Sequence, residues 1–273
     1  MTAVGTEADL LGRIEGYFDS APRSAADVEQ HGAFTLFVSR IPWRFYARPR
    51  LDLAEDVGAD DVAAVRARQR ELGVREAFEW VAETTPSLIG AARGAGLQVL
   101  QVPLLALDAA AWTPPPAPPG VGLRMLGADD DALPAAQAVV ELAFARELSP
   151  HTVGVEEREL AQARLGDLDF LRERLRSGLT AMAVAESEAD GVLAAGSHQP
   201  VGDVTEILAV GTLPVARRRG IGAAVTGRLV EDARERGVEV VFLSAADDDV
   251  ARIYERLGFR RLGTACFASP GAA

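Results

Sequence analysis

The chain has 273 residues, a formal net charge of −12 and a sequence pI near 4.8. Its 48% hydrophobic and 25% charged residues are the composition of a folded globular protein, which excludes the disordered and fibrous classes. The acidic balance argues against the basic face that non-specific binding to nucleic acid or an anionic membrane requires, and mildly favours cationic partners such as amines.

From the N-terminus, Met1–Tyr17 carries Glu7, Asp9 and Glu15 through its apolar positions, so it does not read as a signal peptide. No later stretch reaches membrane-spanning length, and a cytoplasmic location is expected. A helix is predicted over Asp60–Leu72, closed by Gly73, then a strand over Ala77–Glu83 and a turn-to-helix segment over Thr84–Leu97. The run Pro114-Pro115-Pro116-Ala117-Pro118-Pro119-Gly120 cannot be helical and prefers an extended, semi-rigid form. It divides the chain into a first domain over 1–112, a linker over 113–120 and a second domain over 121–273.

The second domain has the clearer pattern. Strand Val121–Met125 and helix Asp129–Arg146 are followed by a charged helix over Glu156–Ser177. Strands Leu179–Glu186 and Gly191–His198 flank an Asp190-Gly191 hairpin signal, and Val204–Gly211 is a third apolar strand. A glycine-containing turn leads into a helix ending at Arg236, in which Val225, Leu229 and Ala233 recur at helical spacing. Val238–Leu243, Asp248–Leu257 and Phe259–Ala268 complete the order β-α-α-β-β-β-α-β-α-β. This is a mixed α/β sheet fold of α+β type, not a doubly wound repeat. Cys266, the one cysteine, falls in the closing strand, so neither an internal disulfide nor a cysteine-based zinc site is possible.

Two blocks carry the chemistry. In the first, the strand Thr205–Pro214 runs into Arg217-Arg218-Arg219-Gly220-Ile221-Gly222-Ala223. A helix N-terminus leaves backbone N–H groups unpaired and carries partial positive charge, which suits a phosphate. Gly220 and Gly222 let the backbone close on a diphosphate, and Arg217 adds a forked donor matched to phosphate oxygens. The second block is Asp247-Asp248-Asp249-Val250-Ala251-Arg252-Ile253-Tyr254, followed by Gly258-Phe259.

Together the blocks resemble the GNAT superfamily of N-acetyltransferases. Its acyl-CoA signature, Gln/Arg-x-x-Gly-x-Gly/Ala, is met by Arg217, Gly220 and Gly222. Its second signature is met by Ile253, Tyr254, Gly258 and Phe259, while Asp247 stands where the family has Asn and Val250 where it has Ala. The resemblance spans Val121–Ala268. It implies an acetyl-CoA-dependent N-acetyltransferase that transfers acetyl to a primary amine by direct attack in a ternary complex, the acceptor being a small molecule or a peptide. It further implies that pantetheine lies where one strand splays from the next, on Val210, Gly211, Thr212 and Leu213, with Gly211 a natural bulge residue. A backbone N–H in this splay would stabilise the oxyanion. The pyrophosphate would sit on Arg217, Arg218, Arg219, Gly220, Ile221, Gly222 and Ala223, with Asp247 at the contact the family gives to Asn. Attack needs a neutral amine, hence a base, and Glu206 stands six residues before Thr212. Tyr254, protonated at neutral pH, is the candidate acid for the leaving thiolate.

Several residues have plainer readings. Glu206 also reads as a solvent-facing strand residue and Tyr254 as a packing ring. His198 is an alternative base or a structural histidine; His31 and His151 have no motif around them. Asp247–Asp249 reads as an N-cap and acidic first turn, not a metal site. Gly220-x-Gly222 partly matches a dinucleotide-binding turn, but it lies deep in the chain, after three strands. A non-catalytic acyl-CoA-binding module is the main alternative to an enzyme.

The first half repeats the pattern in degenerate form. Thr85 aligns with Asp247, Ala92 with Tyr254, Gly96 with Gly258 and Leu97 with Phe259. Its corresponding turn, Ala54-Glu55-Asp56-Val57-Gly58, is acidic and would repel a pyrophosphate. The architecture expected is therefore a tandem of GNAT-like folds, the second with an intact acyl-CoA motif and the first with no working cofactor site.

Overall fold

The structure, a computed structural model, describes residues 6–145 and 153–271. The chain forms two compact units. One comprises Met1–Leu105, Ser244–Arg252 and Arg261–Ala273; the other comprises Ala106–Leu243 and Ile253–Arg260. This partition differs from a cut at the proline-rich run, because two C-terminal segments join the first unit.

In the first unit, α1 (Glu7–Ser20) precedes an antiparallel hairpin of β1 (Ala26–His31) and β2 (Phe34–Ser39), turned at Gly32. Then come β3 (Ala47–Pro49), α2 (Ala59–Glu71), β4 (Phe78–Val81), α3 (Ser87–Gly94) and β5 (Gln98–Leu107). β3 runs antiparallel to β2 and parallel to β4. The last strand of the chain, β11 (Phe259–Ser269), lies between β4 and β5 and pairs antiparallel with β4, with Cys266 opposite Trp80. Cys266 thereby enters a core built on Phe34, Phe78, Trp80, Leu88 and Ala92, where burial pushes its thiol up to about 11. Arg48 is fully buried on β3 and pairs with Glu15 of α1. Glu15 also accepts from the Thr84 hydroxyl at 2.5 Å and the Val81 N–H at 3.3 Å, so the buried charges are met on both sides.

The second unit opens with the proline-rich run, which is packed, not free. Pro115 lies so close to the helix α7 (Ile221–Glu235) that a Cβ at Gly227 would come within 2.8 Å of it. The remaining elements are β6 (Gly122–Met125), α4 (Leu133–Phe144), α5 (Val155–Gln162), α6 (Asp169–Arg176), β7 (Ala181–Ser187), β8 (Gly191–Val201), β9 (Val204–Thr212) and β10 (Val240–Ser244), and the end of α8 (Asp248–Glu255), whose first residues to Arg252 belong to the first unit. Strands β6 to β9 pair antiparallel in sequence order, and β10 adds to β9 in parallel. The strands fall where the sequence pattern predicts them. The single helix expected over Glu156–Ser177 is instead two, broken around Gly166, where the side chain of Asp167 accepts from the Asp169 N–H and starts α6. Helix α4 starts later than Asp129, because Asp130 turns its carboxylate onto the Ala132 N–H and the Arg124 guanidinium. The expected end of that helix at Arg146, and His151, lie outside the described residues.

The parallel register aligns the units: Ala47 pairs with Phe78 and Val204 with Val240. β3, α2, β4 and α3 thus repeat β9, α7, β10 and α8.

Candidate acyl-CoA site

β9 is an apolar strand with one irregularity. It pairs with β10 only at Val204, Thr205 and Glu206, opposite Val240, Val241 and Phe242; beyond Glu206 the two strands part. Along its other edge β9 keeps its bonds to β8, with a register shift: Ser197 pairs with Leu208, but Ala195 pairs with Gly211. The extra residue is at Ala209–Val210, and Ala209 has φ +55°, a left-handed backbone that a side chain tolerates at a cost of about 1–2 kcal/mol. The bulge is therefore two residues earlier than Gly211. That glycine is bare for another reason: a Cβ there would meet the Ala143 methyl of α4 at 2.7 Å. The Leu213 N–H is spent on the Leu193 carbonyl at 2.9 Å and its side chain is fully buried, so Leu213 belongs to the core. Alternation along the strand then turns the N–H groups of Thr212 and Val210 to the edge that β10 has left.

The strand leads through a short turn at Pro214–Ala216 to the start of α7. Arg218 has φ +61° and Gly220, the N-cap, φ +79°; no side chain caps the helix, and its first turn contains no acid. Its first helical bond runs from the Ala224 N–H to the Gly220 carbonyl, so the N–H groups of Ile221, Gly222 and Ala223 precede it and point out of the helix end. A Cβ at Gly222 would approach the Thr212 hydroxyl at 3.3 Å. Arg217 is also engaged within the protein. Its guanidinium donates to the Thr212 carbonyl at 3.3 Å and the Ala143 carbonyl at 3.1 Å, holding the strand end against α4. The exposed Arg218 and Arg219, with no partner among the described residues, are the guanidinium groups at liberty beside the helix start. A diphosphate fits this turn, which offers N–H donors, two uncommitted cations and no carboxylate.

Glu206 is partly accessible on the strand face opposite α7, with no hydrogen-bond or ion-pair partner among the described residues. Burial alone raises its pKa to about 8. Tyr254 lies on α8, edge-on to Phe259 with ring centroids 5.8 Å apart. Its hydroxyl is hydrogen-bonded to Thr226 of α7, and burial pushes its pKa up to about 12 despite that bond. Gly258, at φ +90°, closes this corner, since a Cβ there would meet the Ala111 carbonyl oxygen at 3.1 Å.

Two other candidates are structural. His198 is fully buried, with Nδ1 2.9 Å from the Thr205 hydroxyl and Nε2 2.9 Å from the Asp232 carboxylate. Both ring nitrogens are thus spent tying β8 to β9 and α7. Burial opposes ionisation of Asp232, but the bonds from His198 and Arg236 outweigh it and bring its pKa to about 2. Asp247 caps α8 by accepting from the Val250 N–H at 2.8 Å, and no metal cluster occurs among the described residues.

Residues 140–259 match the family model described as the acetyltransferase (GNAT) family. The second half of the chain carries a GNAT domain. The match takes in Glu206, the α7 start and Tyr254. Among solved structures, this chain is similar to a GCN5-related N-acetyltransferase from Kribbella flavida (TM-score 0.74, 21% identity, 96% of each chain covered). It is also similar to a GCN5-related N-acetyltransferase from Sphaerobacter thermophilus (TM-score 0.58, 18% identity, 98% of this chain and 95% of that one). A tandem GNAT protein from the clavulanic acid biosynthesis pathway is a third (TM-score 0.58, 17% identity, 88% and 79%). No curated protein matches the chain. At these identities the likeness is one of fold, and it extends over both halves: the first half is GNAT-like in architecture. No helix among the described residues is long and apolar enough to cross a membrane.

Proposed function

We propose that the GNAT domain transfers the acetyl group of acetyl-CoA to a primary amine by direct attack, with donor and acceptor bound together. The observation that carries this reading is the parting of β9 from β10 directly before a helix N-terminus that has neither cap nor acid. Acetyl-CoA supplies a thioester carbonyl and a thiolate leaving group. The Thr212 and Val210 N–H groups, facing the gap, donate to the pantetheine amides and to the carbonyl oxygen as negative charge develops there. Glu206 takes the amine proton as the N–C bond forms. Its raised pKa makes it a stronger base once ionised and leaves it mostly neutral at pH 7. The Tyr254 hydroxyl donates to the sulfur as the C–S bond breaks. With a pKa near 12 against an ordinary thiol pKa near 8.5, the hydroxyl keeps its proton and stabilises the departing thiolate as a hydrogen-bond donor while charge builds on sulfur. The Arg218 and Arg219 side chains and the α7 N–H groups hold the diphosphate.

The alternative of a binding module without turnover is separated by one experiment. Acetyl-CoA is offered with a panel of primary amines (antibiotics, polyamines, amino acids and peptides), and free thiol and acetylated product are followed. The chain contains no lysine, so no side-chain amine of the protein competes. Acceptor-dependent thiol release is the expected result; binding without release for every acceptor would leave only the module.

A further inference from the structure

The first unit holds a cleft that its GNAT-like architecture does not require. The β2–β3 connection, residues 40–46, and the turn after α2 enclose about 500 Å³, the size of a small-molecule site. Trp43 and Phe45 give it aromatic walls above the buried Phe37, and Arg44 and Arg75 give it charge. No carboxylate lines this cleft, although the chain carries a net charge of −12. Arg44 and Arg75 are exposed and have no ion-pair partner among the described residues; they also line an adjoining hollow of about 240 Å³, whose one acid, Glu79, interacts with the charge of Arg48.

The cleft is preformed. Ser39 donates its hydroxyl to the Ile41 carbonyl at 2.8 Å and accepts the Ile41 N–H at 3.2 Å. The Phe37 N–H reaches the Tyr46 carbonyl at 3.1 Å, and the Tyr46 hydroxyl reaches the Phe18 carbonyl at 3.0 Å. On the opposite wall Gly73, at φ +65°, ends α2, and the Val74 N–H bonds back to the Gln69 carbonyl at 3.0 Å, which sets the direction of Arg75. In the second unit the corresponding connection, from β8 to β9, is the tight turn Gly202-Asp203. The cleft-forming loop is thus an addition confined to the first unit, and it is held at both ends, which lowers the entropy cost of binding.

We propose that this cleft binds a small aromatic anion, a flat ring bearing a carboxylate or phosphate, on residues separate from those of the acyl-CoA site. Aromatic walls stack a planar ring, and two uncommitted guanidinium groups pair with an oxyanion through forked hydrogen bonds. A cationic or neutral ligand would leave both arginines unanswered.

Trp43 reports on the site, because the other two tryptophans, Trp80 and Trp112, are buried. Protein labelled with 5-fluorotryptophan should give three ¹⁹F resonances, with that of Trp43 assigned by Trp43→Phe. Phenylacetate, indole-3-acetate and phenyl phosphate are titrated against phenylacetamide, indole-3-acetamide and phenol. The acids should move the Trp43 resonance with at least tenfold higher apparent affinity than their neutral partners, leaving those of Trp80 and Trp112 in place. Arg44→Ala/Arg75→Ala, which changes only exposed side chains, should abolish that preference. The ranking of carboxylates against phosphate identifies the preferred anion. The proposal is overturned if no acid moves Trp43, if acids and neutral partners act alike, or if the double variant responds as wild type. It is equally overturned if an acidic peptide moves Trp43 where the small acids do not.

Discussion

The two units begin their equivalent helices, α2 and α7, in opposite ways. At α2 the N-cap is Gly58, whose N–H is already taken by the Asp61 carboxylate at 2.9 Å, and Asp60 and Asp61 fill the first turn. The preceding N–H, of Val57, is accepted by the Ser87 hydroxyl at 3.0 Å. At α7 no acid enters the first turn, no side chain caps it, and two arginines stand beside it. An anion is thus already built into the first helix end, covalently, while the second leaves that place open. The strands before them differ likewise: by the parallel register Pro49 stands where Glu206 stands, and Ala92, fully buried, stands where Tyr254 does. One architecture therefore gives a self-satisfied packing unit in one half and a donor-rich cleft in the other.

The largest effect that would sharpen this contrast is at Tyr254. Tyr254→Phe keeps the ring and its contact with Phe259 but removes the hydrogen-bond donor, so turnover should fall by about 10²–10⁴ with little change in acetyl-CoA affinity. Rates within twofold of wild type, with a productive acceptor, would return Tyr254 to a packing role. Next in size is the helix end. Gly222→Asp gives α7 the kind of carboxylate that α2 already has, and calorimetry should show acetyl-CoA affinity falling at least tenfold; unchanged affinity would remove the diphosphate from this turn. The same titration on wild type should give one acetyl-CoA per chain, and a stoichiometry of two would show that the acids of α2 do not close the first unit.

Glu206 links activity to pH. With its pKa near 8, kcat/KM should rise with pH up to about 8, and Glu206→Gln should flatten that limb. Stability should move the opposite way. The carboxyl titrates at 4.5 when unfolded and near 8 when folded, so between these values the unfolded chain carries the charge that the folded one resists. Wild type therefore loses stability through that window. Glu206→Gln should match it below pH 4.5 and exceed it above pH 8, by up to about 5 kcal/mol, in denaturant titrations. A constant difference across pH would mean that the carboxyl is not desolvated. The smallest effect is at the bulge: Ala209→Gly relieves a left-handed alanine and should stabilise the protein by about 0.5 kcal/mol, net of glycine's own entropy. A loss of stability there would show that the methyl packs usefully.

Much of this was legible in the residues, and for a reason. Strand alternation, the helical spacing of Val225, Leu229 and Ala233, and the turn glycines are local properties, so the strands of the second unit and the α7 start could be located from sequence. The degenerate repeat was legible too, because an acid beside a glycine turn is chemistry that spacing alone reveals. What tertiary structure decided was which partner each group meets. Arg217 reads as a phosphate ligand, and only the fold shows that the end of α4 also presents it with the Ala143 carbonyl; His198 reads as a base until Thr205 and Asp232 take both nitrogens. Gly211 reads as the bulge until the register puts it at Ala209, and the proline-rich run reads as a linker until Gly227 leaves room for Pro115. The closing strand reads as part of the second domain, yet its alternation fixes only which face is apolar. Pairing with β4, which carries Cys266 to the core of the first unit, depends on a partner more than 170 residues away along the chain, and no local pattern encodes that choice.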